Sequence, residues 1–169
     1  PLVMPSVAPH APFTSTVEIL RACAELALEF DVPLQTHLAE TSLDVEQFRR
    51  EHDMPVIPWV KKQGLLEAKV LAAHCVHVDE GEIRTLLHAG AGVAHNPSSN
   101  LKLASGFAPV KAMLEAGLDV GIGTDGAASN NDLDMFEEIR LASFIAKAVG
   151  RDPTALPARQ AFAMATRLG

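Results

Sequence analysis

The chain has 169 residues, 48% of them hydrophobic, which is enough apolar material for one domain core. Fourteen basic against 21 acidic side chains give a formal net charge of −7, which argues against a nucleic-acid polymer or an anionic membrane surface as partner, since both need a basic footprint. No apolar run approaches the ~20 residues of a membrane span, and Cys23 and Cys75 form no CxxC pair, so a reduced, cytoplasmic setting is expected, without disulfides or a thiolate zinc site.

In chain order, one unit recurs: a short apolar run, a polar residue at its end, a loop, then an amphipathic stretch. "LVMPSVAPH" precedes a helix predicted over residues 15–30, and "VPLQTH" precedes a helical region over 44–63. "KVLAAH" precedes "DEGEIRTLLHAG", "AGVAH" precedes a polar loop and "FAPVKAMLEAG", and "LDVGIGTD" precedes "LDMFEEIRLASFIAKAVG". Short runs bounded by Gly, Pro or polar residues fit buried parallel strands. In the last helix, Leu133, Phe136, Ile139, Leu141 and Phe144 are expected on one inward side, with Glu137 and Lys147 in solvent. Asp132 is expected to cap its start and Gly150 to follow its end.

The predicted class is α/β, with about five βα units of a (β/α)8 barrel rather than all eight. No GxGxxG follows a strand and no GxxxxGK[ST] occurs, so a nucleotide-binding open sheet lacks its phosphate loop. The chain opens at Pro1 without a methionine and stops at Gly169 after the helix-like "PARQAFAMATRL"; both are read as cut ends of one barrel domain. A barrel missing its first strands is expected to expose sheet edges and to hold metal weakly.

Each run ends in a reactive side chain: His10, His37, His74, His95 and Asp125. Their spacing is on the order of 30 residues, one strand–helix unit, which brings strand ends to a single face. Imidazole nitrogens and a carboxylate suit a zinc or iron centre with one position open for water. Asp125 could ligate the metal and take a proton from that water, while Glu40, three residues past His37, could protonate a ring nitrogen or leaving group. Each has a plainer reading: a hydrogen-bonded structural His, an Asp that caps the segment near Asn131, a solvated loop Glu. His95 and Asn96 either shape the pocket or form a polar turn, and His77 is read as a solvated loop residue. Trp59 is read as core or interface, and His52 and His88 are given no role. Gly121, Gly123 and Gly126 are expected to allow close packing and a tight turn around Asp125.

"THLAET", "AAHCVHVDEGEI", "AHNPSSNLKLASGFAPV" and "GTDGAASNNDLDMFEEIRLA", in this order, resemble the amidohydrolase superfamily. The likeness is to the 5-methylthioadenosine/S-adenosylhomocysteine deaminases of its atrazine-chlorohydrolase-like branch, from about Val7 to Gly169. The resemblance implies a barrel with one divalent ion, Zn2+ or alternatively Fe2+, ligated by His37 and Asp125. It implies Glu40 as proton shuttle, His74 against the reactive water or substrate, Asp125 as base, and His10 as a substrate contact together with Glu40 and Asp125. The HxH pair that completes such a centre is absent from this sequence and is expected before Pro1, with a small β-sandwich. The implied reaction is hydrolytic deamination of a purine nucleoside, and a homo-oligomer is compatible with it. Guanine or 8-oxoguanine deamination, s-triazine hydrolysis, or a non-catalytic binding domain are the alternatives.

Overall fold

A computed structural model describes residues 3–168. Four parallel strands, β1 (Leu34–Leu38), β2 (Val70–His74), β3 (Gly92–His95) and β4 (Asp119–Ile122), lie in the order β1-β2-β3-β4, each paired with the next in sequence. That order is the one a barrel wall requires, because every crossover then moves one strand onward in the same direction. The predicted first strand contributes less. Val7 alone bridges to Leu34, with its N–H donating to Pro33 O (2.9 Å) and its carbonyl accepting from Gln35 N–H (2.8 Å). Pro5 and Pro9 flank it and have no N–H to extend the ladder, while Leu2 of that run lies outside the described residues.

The strands bury one face and open the other. Leu34, Thr36 and Leu38 are buried under the helices, whereas Gln35 is exposed and His37 half-exposed on the opposite side. The register sets His37 beside Ala73, Ala73 beside Ala94 and Ala94 beside Gly121, so a row of small residues flanks the one imidazole.

The helices are α1 (Val17–Glu29), α2 (Ser42–His52), α3 (Val56–Lys62), α4 (Glu80–His88), α5 (Pro97–Lys102), α6 (Val110–Glu115), α7 (Ala127–Asn130), α8 (Met135–Gly150) and α9 (Ala158–Met164). Together with the strands they enclose Leu20, Leu34, Leu38, Ile57, Leu65, Leu86, Met113 and Met164, all fully buried. Trp59 belongs to this core, edge-on to Phe48 with ring centroids 5.0 Å apart. Among the described residues, no helix is long and apolar enough to cross a membrane, and both cysteines are free.

Several local expectations are corrected. The helical region over 44–63 is two helices, because Asp53 turns left-handed (φ 50°) and Pro55 cannot continue the first. The cap of α8 is Asp134, which accepts from Phe136 N–H at 2.8 Å, rather than Asp132; Gly150 is its last residue, and Arg151 (φ 49°) makes the left-handed stop. The buried stripe of α8 is Glu138, Ala142 and Ser143, while Phe136 and Phe144 are 75% and 55% exposed. Lys147, expected in solvent, is half-buried and donates to Leu156 O (2.9 Å) and Ser143 Oγ (3.0 Å). Apolar periodicity placed Ile139 correctly against the core but Leu133, Phe136 and Phe144 wrongly, because polar groups on the buried side have partners elsewhere in the chain.

A buried acid also ties α3 to α4. Glu82 completes a capping box with Asp79, accepting from its N–H at 3.1 Å, and accepts from Ile57 N–H, at the start of α3, at 3.4 Å. Desolvation raises the Glu82 carboxyl pKa, against the lowering effect of those two N–H donors. Replacing Glu82 by Ala strands two donors, and a loss of about 1–3 kcal/mol in unfolding free energy is expected by denaturant titration. Glu82→Gln, which keeps an acceptor, should lose less.

Candidate active site at the strand ends

The strands leave the sheet through unusual backbone. Ala39, His74 and Asp125 have φ values of 51°, 72° and 61°, a left-handed region that costs non-glycine residues of order 1–3 kcal/mol each. Neighbouring bonds fix these turns. Cys75 N–H donates to Leu38 O at 3.0 Å, His77 N–H to Ala39 O at 2.9 Å, and Gly126 N–H to the Asp125 carboxylate at 2.6 Å. The effect is to swing the side chains after β1, β2 and β4 across the carboxyl edge of the sheet.

There they meet. His74 is almost completely buried, and its Nε2 lies 3.8 Å from Glu40 Oε2 and 3.9 Å from Asp125 Oδ2. The His37 ring stacks on His74 with centroids 5.4 Å apart, and the His10 ring lies 4.8 Å from His37. His10, His37, Ala73, Ala94, Asn96 and Asp125 share the wall of a cavity of about 350 Å³ on the open side of the sheet. His37 Nδ1 donates to the His10 carbonyl at 2.6 Å. A carbonyl only accepts, so the proton sits on Nδ1 and His37 Nε2 carries the free lone pair.

Asp125 is not the helix cap of its plainer reading. Its Oδ2 accepts from Ser99 Oγ at 2.7 Å, and α8, the long helix after Asn131, is capped by Asp134. Partial burial pushes its pKa up, but Ser99, the Gly126 N–H and the His74 and His37 rings together outweigh this, so the carboxyl is held below its ordinary range. Glu40 is half-buried, with Ser105 Oγ 3.4 Å away. His77, read from sequence as solvated, is half-buried too, and its Nε2 donates to Ser105 O at 2.7 Å. Gly123 lies so close to Asn96 that a Cβ would sit 2.6 Å from Asn96 Oδ1, whereas Gly126 has open space and an ordinary φ of −71°, so the tight turn does not need it.

Sequence reasoning missed the polar support behind the site. Ser99 and Asn100 on α5 hold Asp125 and His74, the latter through a 2.8 Å contact between Asn100 Oδ1 and His74 Nδ1. Glu138, one of the most buried residues of the chain, accepts from Ser98 N–H (3.0 Å) and Asn130 Nδ2 (2.7 Å), and Asn130 Nδ2 also donates to Thr124 O (2.9 Å). The available signal was Glu138 beside Glu137, a second acid in a run for which the sequence reading placed Glu137 and Lys147 in solvent.

Among the described residues, no three His, Cys, Asp or Glu side chains form a complete metal cage. The donors present nevertheless fit a divalent ion in part. His37 offers an unprotonated Nε2, Asp125 an ionised carboxylate, and His74 Nε2 is buried without a hydrogen-bond partner.

His95 lies beneath this group. Burial first, and the neighbouring His74 second, hold its pKa down at about 4. A histidine that titrates near 6.5 when unfolded and near 4 when folded contributes stability that is complete above the higher value. That contribution is lost as the pH falls through the interval between them. Urea unfolding should therefore show the wild type losing more stability between pH 7 and 5 than a His95→Leu variant; equal slopes would contradict the assignment.

The chain matches the amidohydrolase family over residues 1–169. It is 53% identical over 161 residues to the 5-methylthioadenosine/S-adenosylhomocysteine deaminase of Dictyoglomus thermophilum and, over the same length, equally identical to that of Moorella thermoacetica. Each alignment takes in 95% of this chain and 38% of the relative, so the chain spans well under half the length of these curated relatives. A zinc-bound adenosine deaminase from Xanthomonas campestris superposes with a TM-score of 0.93 at 40% identity, over 96% of this chain and 37% of that one. The zinc complex of atrazine chlorohydrolase from Arthrobacter aurescens gives 0.88 at 32%, over 95% of this chain and 36% of that one. A four-stranded parallel sheet that carries its polar side chains at the strand ends is thus a partial barrel of known kind, and the chain belongs to the amidohydrolase family.

Proposed function

We propose that the complete protein containing this chain is a metal-dependent hydrolase that deaminates an adenosine-type nucleoside. 5-Methylthioadenosine or S-adenosylhomocysteine would give the inosine analogue and ammonia. The observation that carries this reading is the convergence of the Glu40 and Asp125 carboxylates, each within 4 Å of His74 Nε2, beyond three strand ends. Sequence likeness to the named deaminases supplies the substrate class.

A divalent cation, Zn2+ by the chemistry of the donors with Fe2+ the alternative, would be held here by His37 and Asp125 and supplies a Lewis acid that brings water's pKa toward neutrality. Asp125 remains ionised at neutral pH, because Ser99 and the Gly126 N–H stabilise its charge, and so can take the proton of the attacking water. His74 orients that water. Glu40 protonates N1 of the adenine ring, which makes C6 more electrophilic, and the amino group then departs as ammonia. His10, exposed beside the cavity, contacts the substrate.

Sister activities are the runner-up. A guanine deaminase from C. acetobutylicum, at 27% identity, and the atrazine chlorohydrolase, at 32%, are less similar than the adenosine-type deaminases, which favours an adenine ring. With purified complete protein, methylthioadenosine should lose absorbance at the adenine maximum. Glu40→Gln should abolish that change while bound metal, measured by elemental analysis, stays at the wild-type level; undiminished turnover in the variant would refute the proton role of Glu40.

A further inference from the structure

In the proposed reaction His74 acts through one ring nitrogen, and imidazole itself does not decide which. The choice is made by whatever the other nitrogen touches. His74 Nδ1 lies 2.8 Å from Oδ1 of Asn100, with both side chains buried. An amide oxygen only accepts, so this contact requires the ring proton on Nδ1. On the opposite side, the 3.8 and 3.9 Å separations from Nε2 to Glu40 and Asp125 are too long for that nitrogen to donate to either carboxylate. A proton on Nε2 would be a buried donor without a protein acceptor.

The backbone of Asn100 is itself fixed. Its N–H donates to Asn96 O at 3.0 Å, and its carbonyl accepts from Ser105 N–H at 2.9 Å. One residue earlier on α5, Ser99 donates to Asp125. The same short helix therefore orients two side chains from different strands, and the Glu138 carboxylate anchors its first turn through Ser98.

We propose that Asn100 is a positioning residue that sets the tautomer of His74, keeping the proton on Nδ1 and turning an unprotonated Nε2 toward Glu40 and Asp125. With that lone pair His74 accepts a hydrogen bond from the attacking water and orients it, while the proton passes to Asp125. The opposite tautomer would instead place on Nε2 a buried N–H with no protein acceptor in reach, and no lone pair for the water. The catalytic consequence rests on the deaminase reading, whereas the tautomer does not.

The test uses the complete, metal-loaded protein labelled with 15N at histidine, with the His74 signals assigned from a His74→Gln variant. In the wild type, the nitrogen shifts should show Nδ1 protonated and Nε2 unprotonated at neutral pH. Asn100→Asp, which retains an acceptor, should keep this pattern and a kcat close to wild type. Asn100→Leu should lose the pattern and lower kcat roughly 10–100-fold, the effect expected for a supporting partner of a site imidazole, with KM little changed. A wild-type ring protonated on Nε2 overturns the proposal even if the Leu variant fails to fold. So does a folded Asn100→Leu protein with unchanged tautomer and kcat. Should the Nδ1–H form be found in a protein that deaminates no purine nucleoside, the deaminase reading fails and the tautomer assignment stands.

Discussion

The buried carboxylate of Glu138 is the contact on which the geometry of the site depends. Its two oxygens join the first turn of α5 to the end of α7, through the Ser98 N–H on one side and the Asn130 amide on the other. An acid removed from water is tolerated only when donors surround it, and here those donors belong to the two segments that must stay in register. Because Asn130 also binds the Thr124 carbonyl, the position of Asp125 along the chain is tied to the position of Ser99 and Asn100. Such a fully partnered polar network specifies one arrangement more sharply than apolar packing can.

Around this clamp the sheet divides labour between its faces. The helix-covered face carries branched side chains such as Leu34, Val93 and Val120, which supply the apolar burial that holds the unit together. The open face bears Ala73, Ala94 and Gly121 in one row, leaving space beside His37. A bulky residue in that row would fill the cavity onto which His10, His37 and Asp125 open. The left-handed backbone at Ala39, His74 and Asp125 belongs to the same design, since strain at strand ends directs side chains that a regular strand would point elsewhere.

Much of this was legible before the fold was known. The strand ends at His37, His74, His95 and Asp125 were readable because apolar runs are short, sharply bounded and spaced one βα unit apart. The first run was over-read as a strand because its prolines weigh little in a hydropathy pattern but remove ladder donors. Part of the α8 face was misassigned for a related reason: Lys147 was counted as solvent-seeking and Glu138 was passed over, whereas both find partners far along the chain or across a loop.

By itself, then, the amino-acid order determined the α/β class, the places of four of the five expected strands and the types of side chain delivered to one edge, because local propensity and periodicity act over a few residues. Tertiary structure alone decided which nitrogen of His37 is free, which hydroxyl steadies Asp125 and which amide faces His74. Those choices arise from hydrogen bonds between segments tens of residues apart, and no local pattern records a partner that arrives only when the sheet has formed.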